Sequence, residues 1–208
     1  MRVTVFGATG SVGRHLVAEL LDAGHQVRAV ARHPDGIEAD HPSLERFAAD
    51  VMDGPAVRAA VRGADAVLVT LGSKKLTGNV RSAGTANIVA AMQAEGVSRL
   101  VCQSTLGTGD SRGNLNFYWK YLMFGLVLRA VYRDHERQEE IVRSSGLDWT
   151  IVRPSAFTDG PVTRACRHGF GPDAKGLNLT VSRRDVAAFM GRVMRDLPYS
   201  GQAVALSN

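Results

Sequence analysis

The fold is decided by Gly7-Ala8-Thr9-Gly10-Ser11-Val12-Gly13, which follows an apolar run over residues 3–6 and precedes a helical pattern over residues 14–21. A strand, a glycine-rich turn and a helix in this order predict a phosphate-binding loop, because glycines let the backbone turn sharply and approach a pyrophosphate closely. The helix directs its free N–H groups and the positive end of its dipole at the anion. The residues expected to bind a dinucleotide here are Gly7, Thr9, Gly10, Ser11, Val12 and Gly13.

Apolar, β-branched runs alternate with helical patterns along the rest of the chain. Strands are predicted at residues 3–6, 26–31, 44–49, 67–71, 99–103, 149–152 and 202–206, and helices at 14–21, 55–61, 83–95, 133–144 and 184–195. This alternation predicts an α/β fold, a doubly wound parallel sheet (Rossmann fold) in a single domain over residues 1–208. A ligand is expected at the carboxyl ends of the strands, beside substrate-side loops at about residues 105–125 and 154–180.

The composition of the 208-residue chain, with 45% hydrophobic and 22% charged residues, is ordinary for a globular protein. The first strand begins directly after Met1-Arg2, and no apolar stretch reaches the roughly 18 residues of a membrane span, so neither a signal peptide nor a membrane anchor is expected. The two cysteines, Cys102 and Cys166, have neither metal-ligand nor disulfide-framework spacing. These features predict a cytoplasmic protein without a metal site.

The formal net charge of +5 raises the question of a nucleic-acid partner. The 21 arginines and 4 lysines are scattered among acidic residues, and the sequence has no basic cluster, tail or nucleic-acid motif. Attraction of a phosphate-rich small ligand is the simpler use of this charge. The sequence therefore predicts a small-molecule partner, no nucleic acid and no membrane, in a monomer or homodimer.

Arg32-His33 follows the second predicted strand, where sites specific for NAD usually place an acidic residue about 20 residues beyond the glycines. An acidic residue would repel the 2′-phosphate of NADP, whereas the planar guanidinium of Arg32 matches it. Arg14, directly after the third glycine, is a second candidate for this phosphate. The pattern predicts that NADP(H) is preferred over NAD(H), although the nearby Asp35 leaves use of NAD open.

One segment breaks the alternation of strands and helices. A polar, glycine-rich loop over residues 107–113 is followed by a dense aromatic patch over residues 117–124. Three interpretations are open: a mobile loop with one buried helix, a lid or substrate-binding wall, or a contact with another subunit or a membrane surface.

Further motifs extend over nearly the whole chain. They lie at residues 7–13 (GATGSVG), 49–51 (ADV), 66–72 (AVLVTLG), 87–92 (NIVAAM), 134–135 (DH), 145–154 (SGLDWTIVRP) and 181–187 (VSRRDVA). With these motifs the chain resembles the atypical short-chain dehydrogenase/reductases, in particular the NAD(P)H-binding family similar to biliverdin-IXβ reductase, also known as flavin reductase.

The resemblance implies roles for residues at the ends of the third to sixth predicted strands. Those implied to touch the adenine, pyrophosphate or ribose of the cofactor are Asp50, Val51, Leu71 and Gly72. Those implied to lie beside the nicotinamide or close over its ring are Ser104, Thr105, Pro154, Ser155 and Phe157.

The chain departs from this resemblance at the proton donor. Short-chain dehydrogenases typically use a Tyr with a Lys four residues later, which lowers the pKa of the tyrosine hydroxyl. None of the four tyrosines of this chain is followed by Lys at that spacing. The biliverdin-IXβ reductase pattern also has a His shortly after the proline of the sixth strand, where this chain has Ala156. Thr105 stands at the position of that family's active-site serine, with Ser104 beside it.

Three residues are the candidates for catalytic roles. Thr105 and Ser104 are expected to orient the acceptor or the nicotinamide through hydrogen bonds, while Tyr118 could donate a proton. His135 is a further candidate donor, but its place at the start of a charged helix predicts a solvated or capping residue.

A complete cofactor loop without a strong acid suits acceptors that spread the incoming charge over a π-system, because water can then supply the proton. The sequence thus predicts an NADPH-dependent reductase of flavin, quinone or linear tetrapyrrole, with FMN or FAD as a passing substrate. The alternative is a redox sensor that binds NADP(H), catalyses nothing and acts through a protein partner. An isomerase or dehydratase of sugar nucleotides matches less well, because such relatives keep the Tyr/Lys pair and a larger substrate domain.

Overall fold

The computed structural model describes residues 1–73, 77–163, 165–196 and 199–208. In chain order its strands are β1 (Arg2–Phe6), β2 (Gln26–Ala31), β3 (Leu44–Ala48), β4 (Ala66–Val69), β5 (Arg99–Gln103), β6 (Asp148–Pro154), β7 (Ala156–Thr158), β8 (Arg167–His168), β9 (Thr180–Ser182) and β10 (Gln202–Ser207). β7 and β9 form a short parallel ribbon, and the other strands form one sheet.

The sheet has the strand order β3-β2-β1-β4-β5-β6-β10-β8, and all its neighbouring strands are parallel except β10 and β8. The chain builds outward from β1 to β3 and then returns to place β4 on the other side of β1. Phe6 of β1 lies opposite Val69 of β4, so the turns after these two strands open at the same edge. Doubly wound proteins bind ligands in the crevice at this reversal of strand order.

Helices cover both faces of the sheet. They are α1 (Gly13–Asp22), α2 (Gly54–Val61), α3 (Val80–Glu95), α4 (Arg129–Arg143) and α5 (Arg183–Arg195). On one face Leu16 of α1 and Met190 of α5 belong to the same buried cluster. On the other face Val57 of α2, Ile88 of α3 and Val142 of α4 share a second cluster. The predicted α/β fold, a doubly wound parallel sheet in a single domain, is confirmed.

The predicted strands and helices all appear, with ends that differ by at most four residues from prediction. α3 begins three residues early, at Val80, because the carboxylate of Asp134 accepts hydrogen bonds of 3.1 Å from the backbone N–H groups of Arg81 and Ser82. This cap comes from α4 and is invisible in the local sequence of α3. β7, β8 and β9, of two or three residues each, are too short for periodicity to predict.

The segment between β5 and α4 contains a 3-10 helix over Gly109–Asn114 and a π-helix over Tyr118–Val127. Its interpretation as a buried helix is wrong, because no residue of the π-helix is buried and the flanking Phe117 is 78% exposed. The segment instead presents an aromatic row, in which the ring of Phe124 lies 5.7 Å from that of Trp119. Within the described residues, no helix combines the length and apolarity needed to cross a membrane.

Candidate functional site

The glycine-rich turn between β1 and α1 packs against Thr70, which follows β4. Gly7 has φ +82°, and a Cβ there would lie 2.6 Å from the carbonyl oxygen of Thr70. A Cβ at Gly13 would lie 2.1 Å from the carbonyl oxygen of Gly7. The Thr70 hydroxyl donates to the carbonyl oxygen of Phe6 at 3.0 Å, which holds the two strand ends together. The turn therefore has no room for side chains at Gly7 and Gly13, as a loop that brings backbone against a pyrophosphate requires.

A cleft of about 1190 Å³ opens beyond the carboxyl ends of β1, β2, β4, β5 and β6. Pockets for a single small ligand usually measure about 300–1,000 Å³, so the cleft has room for a dinucleotide and a second molecule. The predicted site residues that line it are Gly7, Thr9, Gly10, Ser11, Val12, Arg32, Asp50, Val51, Leu71, Gly72, Ser104, Thr105, Pro154, Ser155 and Phe157.

Three of the predicted site residues do not line the cleft. Gly13 is buried beneath the loop, and Arg14 is exposed on α1. Tyr118 is 52% exposed, whereas Trp119 and Phe124 of the same π-helix do line the cleft. Tyr118 is therefore not placed to donate a proton in the cleft, because its neighbour Trp119 occupies the side of the π-helix that meets it.

The loop after β3 is fixed where the adenosine is expected. The Asp50 carboxylate accepts a hydrogen bond from the N–H of Met52 at 3.0 Å, and the amide of Asn87 donates to the carbonyl oxygen of Val51 at 2.8 Å. Arg32, directly after β2, is exposed at the lip of the cleft. A preformed loop with an exposed arginine beside it is compatible with the predicted binding of a phosphorylated adenosine.

The ends of β5 and β6 place three hydroxyl groups at the cleft. The Ser104 hydroxyl lies 3.3 Å from that of Thr108, so it is already engaged within the protein. The Thr105 hydroxyl makes a longer contact of 3.5 Å with the carbonyl oxygen of Leu106. The Ser155 residue is 8% exposed, and its hydroxyl oxygen has no partner in the described part of the chain. Ser155 is thus the one of these three residues whose hydroxyl has no partner among the described residues, whereas Thr105 is the most exposed of the three.

Unpartnered buried polar atoms concentrate at this cleft. In the ranges that the structure describes, six buried side-chain atoms lack a hydrogen-bond partner. Four of the six belong to cleft-lining residues: Arg81 Nε, Gln103 Oε1, Ser155 Oγ and Arg183 Nε. An unpaired buried polar group costs about 1–3 kcal/mol and is rare in folded proteins, so the residues around the cleft are where the described structure leaves most hydrogen-bonding groups unused.

His135 lies in the cleft and not in solvent, so its interpretation as a solvated or capping residue is wrong. The residue is 7% exposed and lines the cleft. Burial first, and then the charge of Arg81, lower the pKa of the imidazole to about 4. The amide of Gln138 donates to the hydroxyl of Thr85 at 3.0 Å, which turns its oxygen toward His135 Nδ1 at 3.2 Å. His135 is therefore neutral at pH 7, with Nδ1 engaged by Gln138.

A buried ion pair joins β6 to α4 next to the cleft. Arg153 of β6, 2% exposed, donates from Nε and Nη2 to the two carboxylate oxygens of Glu139 at 2.8 and 2.6 Å. Its Nη1 donates to Asp110 in the 3-10 helix. These charge-assisted bonds raise the pKa of the Arg153 guanidinium and tie β6, α4 and the loop after β5 together.

Three residues that line the cleft are not among the predicted site residues. Arg81, Gln103 and Arg183 line the cleft beside the predicted residues. Arg183 falls inside the motif at residues 181–187, and Gln103 ends a predicted strand, so their positions were available as signals. Arg81 lies before the predicted start of its helix, where the pattern gave no reason to single it out.

Comparison with known proteins agrees with this geometry. A family model described as NAD(P)H-binding matches residues 7–197. An uncharacterised chloroplastic protein of Arabidopsis thaliana is 34% identical over 175 residues, which cover 78% of this chain. The chain spans only 61% of the length of that relative.

Two further similarities are to reductases. The (4-alkanoyl-5-oxo-2,5-dihydrofuran-3-yl)methyl phosphate reductase of Streptomyces griseus is 29% identical over 215 residues, covering 99% of this chain and 67% of the relative. The solved structure of ChuY, an anaerobilin reductase of Escherichia coli O157:H7, superposes with a TM-score of 0.83 and 27% identity. That match covers 99% of this chain and 96% of ChuY.

Proposed function

Because this chain belongs to the NAD(P)H-binding family, we propose that it is an NADPH-dependent oxidoreductase that transfers a hydride to a conjugated acceptor. Flavin, quinone or linear tetrapyrrole is the acceptor class. The names of the Streptomyces griseus and Escherichia coli relatives, both reductases, support the reaction type. The observation that carries the proposal is one cleft in which the glycine loop lies at the β1 side and aromatic rings line other parts, while the described lining residues include no suitable acid.

The lack of a suitable acid follows from the described cleft-lining residues. They include no Tyr, and His135 is neutral because its pKa is lowered to about 4. The Asp134 carboxylate accepts hydrogen bonds from Ser82 and from the N–H of Arg81. Reduction of a simple ketone gains about 10²–10⁴-fold from a placed proton donor, whereas a conjugated acceptor delocalises the charge and takes its proton from water. The cleft thus favours conjugated acceptors.

The dinucleotide fits the cleft because a Cβ at Gly7 or Gly13 would fill the loop that has to approach the pyrophosphate. Bound NADPH would supply the hydride. In this proposal the hydroxyl groups of Ser155 and Thr105 hydrogen-bond the nicotinamide or the acceptor, which is an orienting role. Trp119 offers a ring face against which a flat acceptor can pack. Catalysis in this proposal is by proximity and orientation, with FMN or FAD bound as substrate.

NADP(H) is the cofactor that the exposed Arg32 supports, because a guanidinium pairs with the 2′-phosphate that NAD(H) lacks. Asp50 and Val51 would meet the adenine from the loop after β3. Leu71 and Gly72 would pass beside the pyrophosphate at the end of β4.

The test is NADPH oxidation by the purified protein, followed as loss of nicotinamide absorbance, with FMN, a simple quinone or biliverdin added in turn. Oxidation that requires both the protein and an acceptor supports the proposal and ranks the acceptors. Saturable NADPH binding without oxidation by any acceptor contradicts it and favours a sensor that acts through a protein partner.

A further inference from the structure

The guanidinium of Arg81 has no role in the proposed hydride transfer, although it lines the cleft. Its side chain is 11% exposed, and Nη1 lies 3.7 Å from the Asp134 carboxylate. Its Nε is buried without a hydrogen-bond partner among the described residues. A cation that lines the cleft therefore has part of its hydrogen-bonding capacity unused within the described chain, which is uncommon for a buried polar group.

The Asp134 carboxylate, which forms an ion pair with Arg81, also accepts hydrogen bonds at the N-terminus of α3. Asp134 accepts the N–H of Arg81 and the N–H of Ser82 at 3.1 Å each, and the hydroxyl of Ser82 at 2.6 Å. These three hydrogen bonds cap the N-terminus of α3. The guanidinium meets the same carboxylate at ion-pair distance, beyond hydrogen-bonding distance. Asp134 thus positions Arg81 without saturating its donors.

The residue that follows Asp134 adds no negative charge beside Arg81. His135 is neutral, and the positive charge of Arg81 is one reason for its lowered pKa. The N-terminus of α3 adds the positive end of a helix dipole at the same place. The Asp134 carboxylate offsets part of this positive charge, so what remains for an anion at this part of the cleft is the set of guanidinium N–H donors that Asp134 does not engage.

We propose, resting on the function proposed above, that the hydride acceptor carries a carboxylate or phosphate group and that Arg81 binds this group. The planar N–H pairs of a guanidinium match the oxygens of either anion, and burial strengthens the pairing relative to that in water. Arg81 is then the residue that distinguishes acidic acceptors from neutral acceptors with the same ring.

The phosphates of the cofactor are the competing anions for Arg81. The glycine loop and Arg32 provide for those phosphates from β1, α1 and β2. Arg81 stands instead on α3, against Asp134 and His135 of α4. The assignment to the acceptor therefore predicts that substitution of Arg81 changes acceptor preference and not NADPH affinity.

FMN and riboflavin are the probes, because they share the isoalloxazine ring and differ by one phosphate. Their Kd values for the NADP⁺-loaded protein are measured by quenching of flavin fluorescence, and their kcat/KM values by NADPH oxidation. We expect the wild type to prefer FMN at least about tenfold in both ratios, as one charge-assisted contact implies. The ratio of FMN to riboflavin values does not change when part of the protein is misfolded. A variant that folds poorly therefore still gives an interpretable ratio.

Two variants of Arg81 and one control variant test whether the preference for FMN over riboflavin depends on Arg81. Arg81→Gln should lower the FMN-to-riboflavin ratio about tenfold, and Arg81→Lys should keep part of it, since the charge stays while the planar donor pairs are lost. Arg137→Gln makes the same charge change on the exposed side of α4 and should keep the wild-type ratio. NADPH Kd is measured for each protein in parallel.

The outcomes separate this inference from the proposed function. Equal ratios in the wild type and Arg81→Gln overturn the anion site, even where both flavins are reduced. An FMN preference in Kd that Arg81→Gln abolishes, without NADPH oxidation, supports the anion site and contradicts the proposed reductase. Weaker NADPH binding by Arg81→Gln with an unchanged flavin ratio overturns the inference and assigns Arg81 to the cofactor. If neither FMN nor riboflavin binds, both proposals are wrong for a flavin acceptor.

Discussion

Gly13→Ala should disable the phosphate-binding loop while leaving the fold intact. The added Cβ would lie 2.1 Å from the carbonyl oxygen of Gly7 and 2.9 Å from the hydroxyl oxygen of Thr70. Neither atom is free to move, because the Gly7 carbonyl accepts the N–H of Gly10 at 2.9 Å and the Thr70 hydroxyl donates to Phe6. Relief needs a loop shift of about 1 Å, and overpacking of this kind costs about 1–3 kcal/mol. Because the shift falls on the groups that meet the pyrophosphate, we expect NADPH binding to weaken about 5- to 150-fold.

Gly191→Ala is the matched control for this substitution. Gly191 lies in α5 against the outer side of α1, and its Cβ would sit 3.5 Å from Glu19, an ordinary van der Waals contact. We expect an unchanged NADPH Kd and a stability raised by up to about 1 kcal/mol through better helix propensity. Fluorescence titration with NADPH and thermal unfolding of both variants distinguish a damaged site from a damaged fold. Wild-type NADPH affinity in Gly13→Ala would refute the assignment of the loop.

The remaining predictions concern the cofactor, a buried ion pair and pH. Arg32→Ala should weaken NADPH binding about ten- to hundredfold and NADH binding far less, and equal losses in parallel titrations would remove the argument for NADP(H). Glu139→Gln should lower the unfolding free energy in urea by about 3 kcal/mol, since it strips the charge from the main partner of the buried Arg153; an unchanged midpoint would contradict this. Because the pKa of His135 falls from 6.5 to about 4 on folding, its contribution to stability is complete above pH 6.5 and is lost as pH falls toward 4, by about 3 kcal/mol. His135→Gln should flatten this part of the stability profile, and an unaltered profile would show that the imidazole is not held neutral.

The parts of the fold that the sequence predicts are those with local signals. A turn glycine or an alternating apolar pattern acts within a few residues, so β1, the loop and α1 follow directly from residues 3–21. Parallel strands then bring their carboxyl ends to one edge, whatever their distance in sequence. The place of Arg32 after the second strand predicts it at this edge, and the resemblance implies Asp50, Leu71 and Pro154 there. All four lie at or near strand ends and line the cleft.

The features that the sequence does not predict depend on contacts between distant segments. β7 pairs with β9 over three residues, with Ala156 opposite Thr180, and neither strand has a detectable period. The π-helix carries an apolar pattern that hydropathy assigns to the core, yet Leu126 is 72% exposed. In both cases the position of the segment depends on contacts with distant parts of the chain, which a local sequence pattern does not show.

α4 shows why the part of the cleft beside Arg81 is the hardest part to predict. Its charged sequence indicates a solvated helix, but a stripe of polar residues on it is buried: Asp134, His135, Gln138 and Glu139. This stripe is stable because partners reach it from other segments, from Ser82 and Thr85 of α3 and from Arg153 of β6. Polar groups buried with their partners cost little, whereas the same groups buried alone are expensive. Satisfied burial of this kind indicates structure and not a ligand. Arg81 differs, since its guanidinium borders the stripe and its Nε still lacks a partner among the described residues, and that difference points to a group from outside the chain.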